Sequence, residues 1–369
     1  MATSTPGTVI HHVAAHTHQY IGCPSIVLLP GGELLASHSY FGPGARNTDT
    51  YLYRSQDGGT SWTRITELRG QIWSNLFLHL GSVFIMGTDH CDRYGGRLNG
   101  RVVIRRSDDR GKTWSTPKDG STGVLCDEDG YHTAPVPVVV HGGRIWRAFE
   151  YAPQPDRRTW QAFVLFADET ADLLDCRSWK SSERYTHLWS ESQWIEGNVV
   201  VAPDGQVVDI LRSNYMGDDP ARAADEIDRA VLLHVDDDGS RLFHDRAQDI
   251  IDFPGGGSKF TIRRDPLRGR YWSLTNKQKD PPARRNGLYL ISSHDLRTWK
   301  VERPLLSHPD PEYHAFQYVD WIFDGDDILF VSRTAWEDED GGAHNYHDAN
   351  FLTFHRAGDF RDGRIGPNR

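Results

Sequence analysis

Cysteine is sparse in this chain: Cys23, Cys91, Cys126 and Cys176 are spread through 369 residues with no C-x-x-C pair among them. That pattern excludes a zinc ribbon and a disulfide-built scaffold and predicts buried free thiols. No run of about 18 apolar residues occurs, so the sequence signature of a transmembrane helix is missing. Met1 to Gly7 is small and polar, without a basic stretch leading into an apolar core, and no export signal is expected in the chain as it stands. No Pro/Ser-rich linker and no block of like charge marks a second domain. Residues 1–369 read as a single domain, with the Arg-rich end after Phe354 expected to lie loosely on the surface. Positive charge is in deficit, 41 Lys and Arg against 51 Asp and Glu, a formal charge of −10. Nucleic acid and anionic membrane both reward a basic patch, so neither is expected as a partner. Helical periodicity is nearly missing too; Ala167 to Leu174 is the one stretch that reads as a short helix.

What is present is aromatic and repetitive. Trp, Tyr and Phe make up 11% of the residues, which suits a β-rich protein with sugar-facing surfaces. A single core for 369 residues would be unusually large, so an architecture that grows by adding modules is favoured. Three stretches share a pattern: Ser55-Gln-Asp57-Gly-Gly59-Thr-Ser61-Trp62, Ser107-Asp-Asp109-Arg-Gly111-Lys-Thr113-Trp114, and the shortened Ser293-His-Asp295-Leu-Arg-Thr298-Trp299. A fourth, Asp175-Cys-Arg-Ser178-Trp179, keeps the Asp-to-Trp step of the third. The chemistry of the pattern is local: Asp accepts backbone N–H groups across a hairpin turn, Gly supplies positive φ, and Trp packs between sheets. Alternating runs such as Tyr51-Leu-Tyr-Arg-Ser55 and Leu288-Tyr-Leu-Ile-Ser292 beside the motifs read as strands.

The motif resembles the Asp-box of sialidase-type β-propellers. The resemblance implies an all-β, six-bladed β-propeller of the sialidase-like superfamily, with a blade every 40–60 residues or so. Sialidases of this kind use a Tyr nucleophile assisted by a Glu, an Asp acid/base, and three Arg residues that grip the substrate carboxylate. On this pattern Asp49, six residues before the first motif, is the expected acid/base; its plainer reading is a turn-capping Asp in Asn47-Thr-Asp49. Glu196, in Trp194-Ile-Glu-Gly-Asn198, resembles the family's Glu, with Arg212 the Arg that follows it; a structural ion pair is the plainer reading, and Glu191 the competing carboxylate. Arg285 resembles the third Arg. Tyr318, in Phe316-Gln-Tyr-Val-Asp320, stands where the nucleophile is expected and is a core aromatic unless Glu196 lies beside it.

One departure stands out. Where sialidases carry the first Arg in an R-I-P segment, this chain reads Gly22-Cys23-Pro24-Ser25-Ile26. Loss of one of three cations weakens the grip on a sialic acid carboxylate, so a different acidic sugar, such as a uronic acid, is the expected substrate of an exo-acting glycoside hydrolase. A surplus of His and other polar residues has no place in the template. His38, His90, Tyr131, His132 and Lys259 are expected to bind substrate, and His16, His18, Tyr20, Asp89, His314, His344 and His347 are further candidates. A polysaccharide lyase using Tyr131, His132 and Arg144 is the alternative enzyme, and a non-catalytic glycan-binding propeller the third reading. The His344-Asn-Tyr-His347-Asp348 segment lies in a loop entering a strand, so no catalytic metal and no cofactor is expected.

Overall fold

The three S-x-D stretches fold into the same hairpin turn, each leaving the outer part of a sheet. The computed structural model describes residues 4–46, 48–90, 100–152, 160–187, 192–277 and 284–362; Cys91 and Glu191 fall outside them. In the first turn Asp57 Oδ1 accepts the Ser61 N–H at 2.9 Å, Ser55 Oγ accepts the Gly59 N–H at 2.9 Å, and the Trp62 indole donates to the Gly59 carbonyl at 3.1 Å. Asp109 and Trp114 repeat the Asp and Trp bonds at 2.9 and 3.0 Å, and Asp295 and Trp299 at 2.7 and 3.0 Å. A Cβ at Gly59 would run into the Phe354 ring of the neighbouring sheet, so the close approach demands glycine. The shortened third turn has no such glycine, and Leu296 takes the left-handed position with φ 65°. Asp175 departs from the pattern: it caps the short 3₁₀ turn Cys176–Ser178, and Trp179 donates instead to the Leu173 carbonyl at 3.0 Å.

The protein is an all-β propeller, and among the described residues its strands form five hydrogen-bonded sheets. The N-terminal strand Thr8–His12 pairs with Phe351–Ala357, which continues through Asp327–Ala335 to Ala315–Asp324. Pairing the two chain ends in one sheet closes the ring and hides edges that an open stack would expose. The nine-stranded sheet runs from Ile72–His79 to Trp179–Ser181, and among the described residues its two halves pair through Tyr131↔Tyr151 and His132↔Glu150. Those halves also pack face to face, Met86, Val102 and Ile104 against Ile145, Phe149 and Phe163. Comparable apolar layers join the other neighbours, for example Trp272 and Leu274 with Trp321 and Phe330.

Two sequence expectations need correction. Ala167–Leu174 is not helical: Ala167 and Asp168 end the strand Gln161–Asp168, and Asp168 Oδ1 accepts both the Thr170 N–H and its hydroxyl, at 2.8 and 2.6 Å. Such local side-chain bonds compete with helix formation. The α-helix among the described residues is Pro220–Glu226, capped by Asp219. Of the thiols, Cys23 is buried while Cys126 and Cys176 are half-buried, all three unbridged.

The strands nearest the axis share an irregularity that builds the site. Ile72–His79, Ser192–Val201 and Ala315–Asp324 each slip register against their neighbour, between Ile72 and Asn75, Ile195 and Asn198, and Gln317 and Asp320. Within each slip one non-glycine residue takes positive φ: Trp73 at 49°, Glu196 at 59° and Tyr318 at 54°. A β-bulge re-aims a side chain that regular pleating would direct into the inter-sheet layers. In two of them the polar residue two positions on sews the strand to the next sheet: Asn198 Oδ1 accepts the Ile262 N–H at 2.9 Å, and Asp320 Oδ2 the Ile26 N–H at 3.1 Å.

Candidate active site

All three bulged residues line one pocket, together with Cys23, Ser39, Tyr40, Phe41, His132, Thr133, Arg333 and His347. The Tyr318 hydroxyl donates to Glu196 Oε1 at 2.8 Å, and Arg212 Nη1 meets Glu196 Oε2 at 3.1 Å. Burial alone would raise the Glu196 carboxyl, but Arg212, His132 and the Tyr318 hydroxyl outweigh it and hold the group below the usual range. Tyr318 moves the other way. Burial and the Glu196 charge raise its phenol, against the pull of Arg212, Arg285 and Arg333. The resting pair is therefore a phenol bonded to a carboxylate, poised for the proton to move from oxygen to oxygen.

Three guanidiniums surround this pair and differ in what they have left to offer. Each nitrogen of Arg212 already has a protein acceptor: Nε the Gly257 carbonyl at 2.9 Å, Nη1 Glu196, and Nη2 Asn214 Oδ1 at 3.0 Å. It orients Glu196, and three of its five N–H groups are committed to protein acceptors. Arg285 lies 5.3 Å from the Tyr318 ring centre and spends Nη1 on Gln317 Oε1 at 2.6 Å. Arg333, which sequence reasoning missed, lies 4.8 Å from the Tyr318 ring centre and 4.4 Å from that of Phe41. Its Nε and Nη2 hold the His347 carbonyl. Neither Arg285 nor Arg333 makes a salt bridge among the described residues, and burial lowers both, Arg333 to about 10. Cys23 stands in the pocket where the first sialidase Arg is expected, its thiol pushed up to about 12 by burial.

The remaining expected site residues divide. His132 lines the pocket, with Nδ1 2.8 Å from Glu150 Oε2. Tyr131 does not: adjacent residues of a strand face opposite ways, and its ring packs in the core against Tyr151 and Phe163 at 5.0 and 5.7 Å. His38 is fully buried behind the pocket-lining Ser39 and Tyr40, stacked between His11 and Tyr53, and burial lowers its pKa to about 3. His90 pairs with Asp89 at 2.7 Å away from the pocket. Lys259 lies beneath the floor, where Nζ donates to Thr261 Oγ1 at 2.6 Å and to the Val319 carbonyl at 2.7 Å; burial lowers it to about 8. It is not among the residues that line the pocket. Asp49 opens on a neighbouring depression with Gln19, Arg46, Glu67 and Arg69, and Tyr40 lines both.

Arg144 cannot join His132. It is six residues, about 20 Å of strand, from Glu150, and its guanidinium holds the Asp238 carbonyl at 2.9 Å. His308, His314 and Glu337 bring three potential ligand atoms within 4.8 Å of one another. His308 Nδ1, however, accepts the Asp310 N–H at 3.2 Å, which puts the ring proton on Nε2 and removes the lone pair a metal would need there.

No protein-family profile and no curated protein matches the sequence. Solved structures do match in shape. An α-L-arabinofuranosidase of Fusarium graminearum, in complex with an iminosugar inhibitor, superposes with a TM-score of 0.61 at 13% identity, over 96% of this chain and 98% of that one. An α-L-arabinanase of Penicillium chrysogenum, complexed with arabinobiose, gives 0.58 at 14%, again over 96% and 98%. Trypanosoma rangeli sialidase with sialic acid gives 0.59 at 14%, over 96% of this chain but 57% of that one. At such identities the likeness shows the fold, that of propeller glycosidases.

Beneath the Glu196 bulge lies a carboxyl that the sequence did not single out. A Cβ on Gly197 would run into Asp209, which is wholly buried and whose two oxygens make no hydrogen bond among the described residues. Burial, with Glu150 close by, raises Asp209 well above the usual range. The folded chain thus keeps a proton that the unfolded chain releases above about pH 4, and stability falls as pH climbs past that value. Asp209→Asn, which cannot ionise, is expected to melt at least about 2 °C above the native protein at pH 7, with the gap closing towards pH 4. Melting curves across that range check it; a lower melting temperature for the variant at pH 7 would contradict it.

Proposed function

We propose that the chain is a single six-bladed propeller that acts as an exo-glycosidase, releasing a terminal carboxylate-bearing sugar such as a uronic acid. Counting the nine-stranded sheet as two blades supports the number six, because its halves pair at two positions among the described residues and pack against each other as separate blades do. The observation that carries the activity is the Tyr318 hydroxyl bonded to Glu196 at 2.8 Å in a pocket that Arg333 lines, with Arg285 against the same Tyr318 ring. Tyr318 attacks the anomeric carbon while Glu196 takes its proton. Arg285 and Arg333, two buried cations with no carboxylate partner among the described residues, hold the substrate anion. Asp49, expected as acid/base, is not among the residues lining this pocket, and the proposal gives it no proton to carry.

The test is incubation of the purified protein with glucuronides, galacturonides, sialosides and α-L-arabinofuranosides, recording released sugar and ultraviolet absorbance together. Saturated uronic acid without new absorbance is the expected result. Release of arabinose alone would keep the glycosidase and overturn the acidic substrate; rising absorbance from an unsaturated uronate would identify a lyase; binding without turnover would leave a lectin-like propeller.

A further inference from the structure

The Tyr318–Glu196 pair serves the nucleophile only, and an alkoxide leaving group still needs a proton. We infer that His132, oriented by Glu150, is the acid that protonates the leaving oxygen and the base that later activates water. The inference rests on the glycosidase reading of the same pocket.

Among the described residues that line the pocket, Glu196 is the one carboxylate, and it is already committed to Tyr318 and Arg212. Two histidines line it as well. His347 is unsuited to carry a proton, because burial and the adjacent Arg333 lower it to about 3. His132 is held by a carboxylate. Its Nδ1 lies 2.8 Å from Oε2 of Glu150, a carboxylate with no exposure, whose Oε1 accepts the Gly197 N–H at 3.0 Å. One buried carboxylate therefore fixes both the imidazole and the backbone that follows Glu196. The ring is held edge-on by Trp73 and Trp160, each with centroids 4.8 Å away.

A buried structural histidine usually satisfies both nitrogens. Here Nε2 makes no hydrogen bond among the described residues, and the ring lines the pocket. A carboxylate on Nδ1–H steadies the imidazolium and aims the opposite nitrogen, the arrangement that general acid/base histidines require.

The steps balance. Tyr318 Oη bonds to the anomeric carbon as its proton passes to Glu196; the bond to the leaving oxygen breaks, its electron pair goes to that oxygen, and the oxygen takes the Nε2 proton of His132. Water then attacks the anomeric carbon, giving its proton to His132 Nε2, while the phenolate leaves and recovers its proton from Glu196. The sum is glycoside plus water to sugar plus alcohol.

The experiment is a leaving-group series of glucuronides, from dinitrophenyl through phenyl to methyl, with folding verified by melting curves. His132→Ala is expected to lose about 10²-fold in kcat/KM on phenyl and methyl glucuronides and less than about tenfold on the dinitrophenyl compound, which departs without a proton. Azide should restore turnover of the dinitrophenyl substrate and yield the glucuronyl azide. His132→Gln, which keeps a donor for Glu150, should show the same dependence and guards against a folding artefact. Glu150→Gln, a positioning change, should show it to a smaller degree, and Asp49→Asn should behave like the native protein throughout. An equal loss on every leaving group, no loss at all, or the dependence appearing in Asp49→Asn would overturn the role of His132 while leaving the glycosidase standing. A native protein inert on every glycoside, neutral ones included, would overturn both.

Discussion

Tyr318→Phe is expected to lower kcat on a uronide by at least about 10³-fold while melting within a few degrees of the native protein. The substitution keeps the ring that lies against Arg285 and Arg333, at 5.3 and 4.8 Å from the guanidinium carbons, and removes one oxygen. That oxygen donates to Glu196 at 2.8 Å and has no other acceptor among the described residues. Losing a single hydrogen bond alters stability by only about 1 kcal/mol, yet it deletes the atom that would form the covalent intermediate. The two perturbed groups explain why the oxygen can react. Burial and Glu196 keep the phenol protonated at rest, and the same Glu196, held as carboxylate by Arg212, receives the proton once an electrophile arrives. As negative charge develops on the phenol oxygen, three guanidiniums stabilise it. A fluorinated substrate that traps glycosyl-enzyme should label Tyr318 in the native protein and leave Tyr318→Phe unlabelled by mass spectrometry. Native-like turnover by the variant, or label on another residue, would remove Tyr318 from the mechanism.

The fold was legible because its turn chemistry is local. Asp57, Asp109 and Asp295 make their bonds within four residues, so the spacing in the sequence is the spacing in the turn. Even the shortened third copy kept its geometry, with Leu296 in place of glycine. The candidate site was legible in part for a different reason. Glu196, Arg212, Arg285 and Tyr318 stand in the chain order of a family template, and the structure gathers them. What template order could not convey is which face a residue presents. Tyr131 and His132 looked equivalent as neighbours, yet pleating sends one into the core and the other into the pocket. His38 was misjudged in the same way, one position from the pocket-lining Ser39.

Trp73 could have been found. Trp73-Ser-Asn75, Glu196-Gly-Asn198 and Tyr318-Val-Asp320 share a form: a pocket residue, a spacer, then a short carboxamide or carboxylate. The form has a physical basis, since the bulge leaves a neighbouring sheet's N–H in need of an acceptor and the third residue supplies it, Asn198 to Ile262 and Asp320 to Ile26. In the first member this link is lacking, and Asn75 Oδ1 is buried without a partner. Recurrence of the triplet marks three of the strands that face the axis, and with it two of the residues assigned to chemistry by template alone.

Arg333→Met is expected to cut kcat/KM on glucuronides by about 10³-fold and to change that on neutral arabinofuranosides less than about threefold. Methionine keeps much of the apolar stem that lies against Phe41 and removes the guanidinium, whose Nη1 has no protein acceptor among the described residues. Two charge-assisted bonds to a carboxylate contribute about 1.5–3 kcal/mol each, enough for a loss of that size. Arg212→Met should instead disable every substrate alike, because Arg212 acts through Glu196. The contrast follows from where positive charge has gone in this pocket. Cys23 stands at the place of the first sialidase Arg, and Arg333 reaches the same space from the strand Asp327–Ala335, close enough that its charge acts on the Cys23 thiol. Positive charge thus reaches the space beside Cys23 from the strand Asp327–Ala335. A uniform loss on acidic and neutral sugars, or none on either, would show that Arg333 supports the His347 loop and reads no carboxylate.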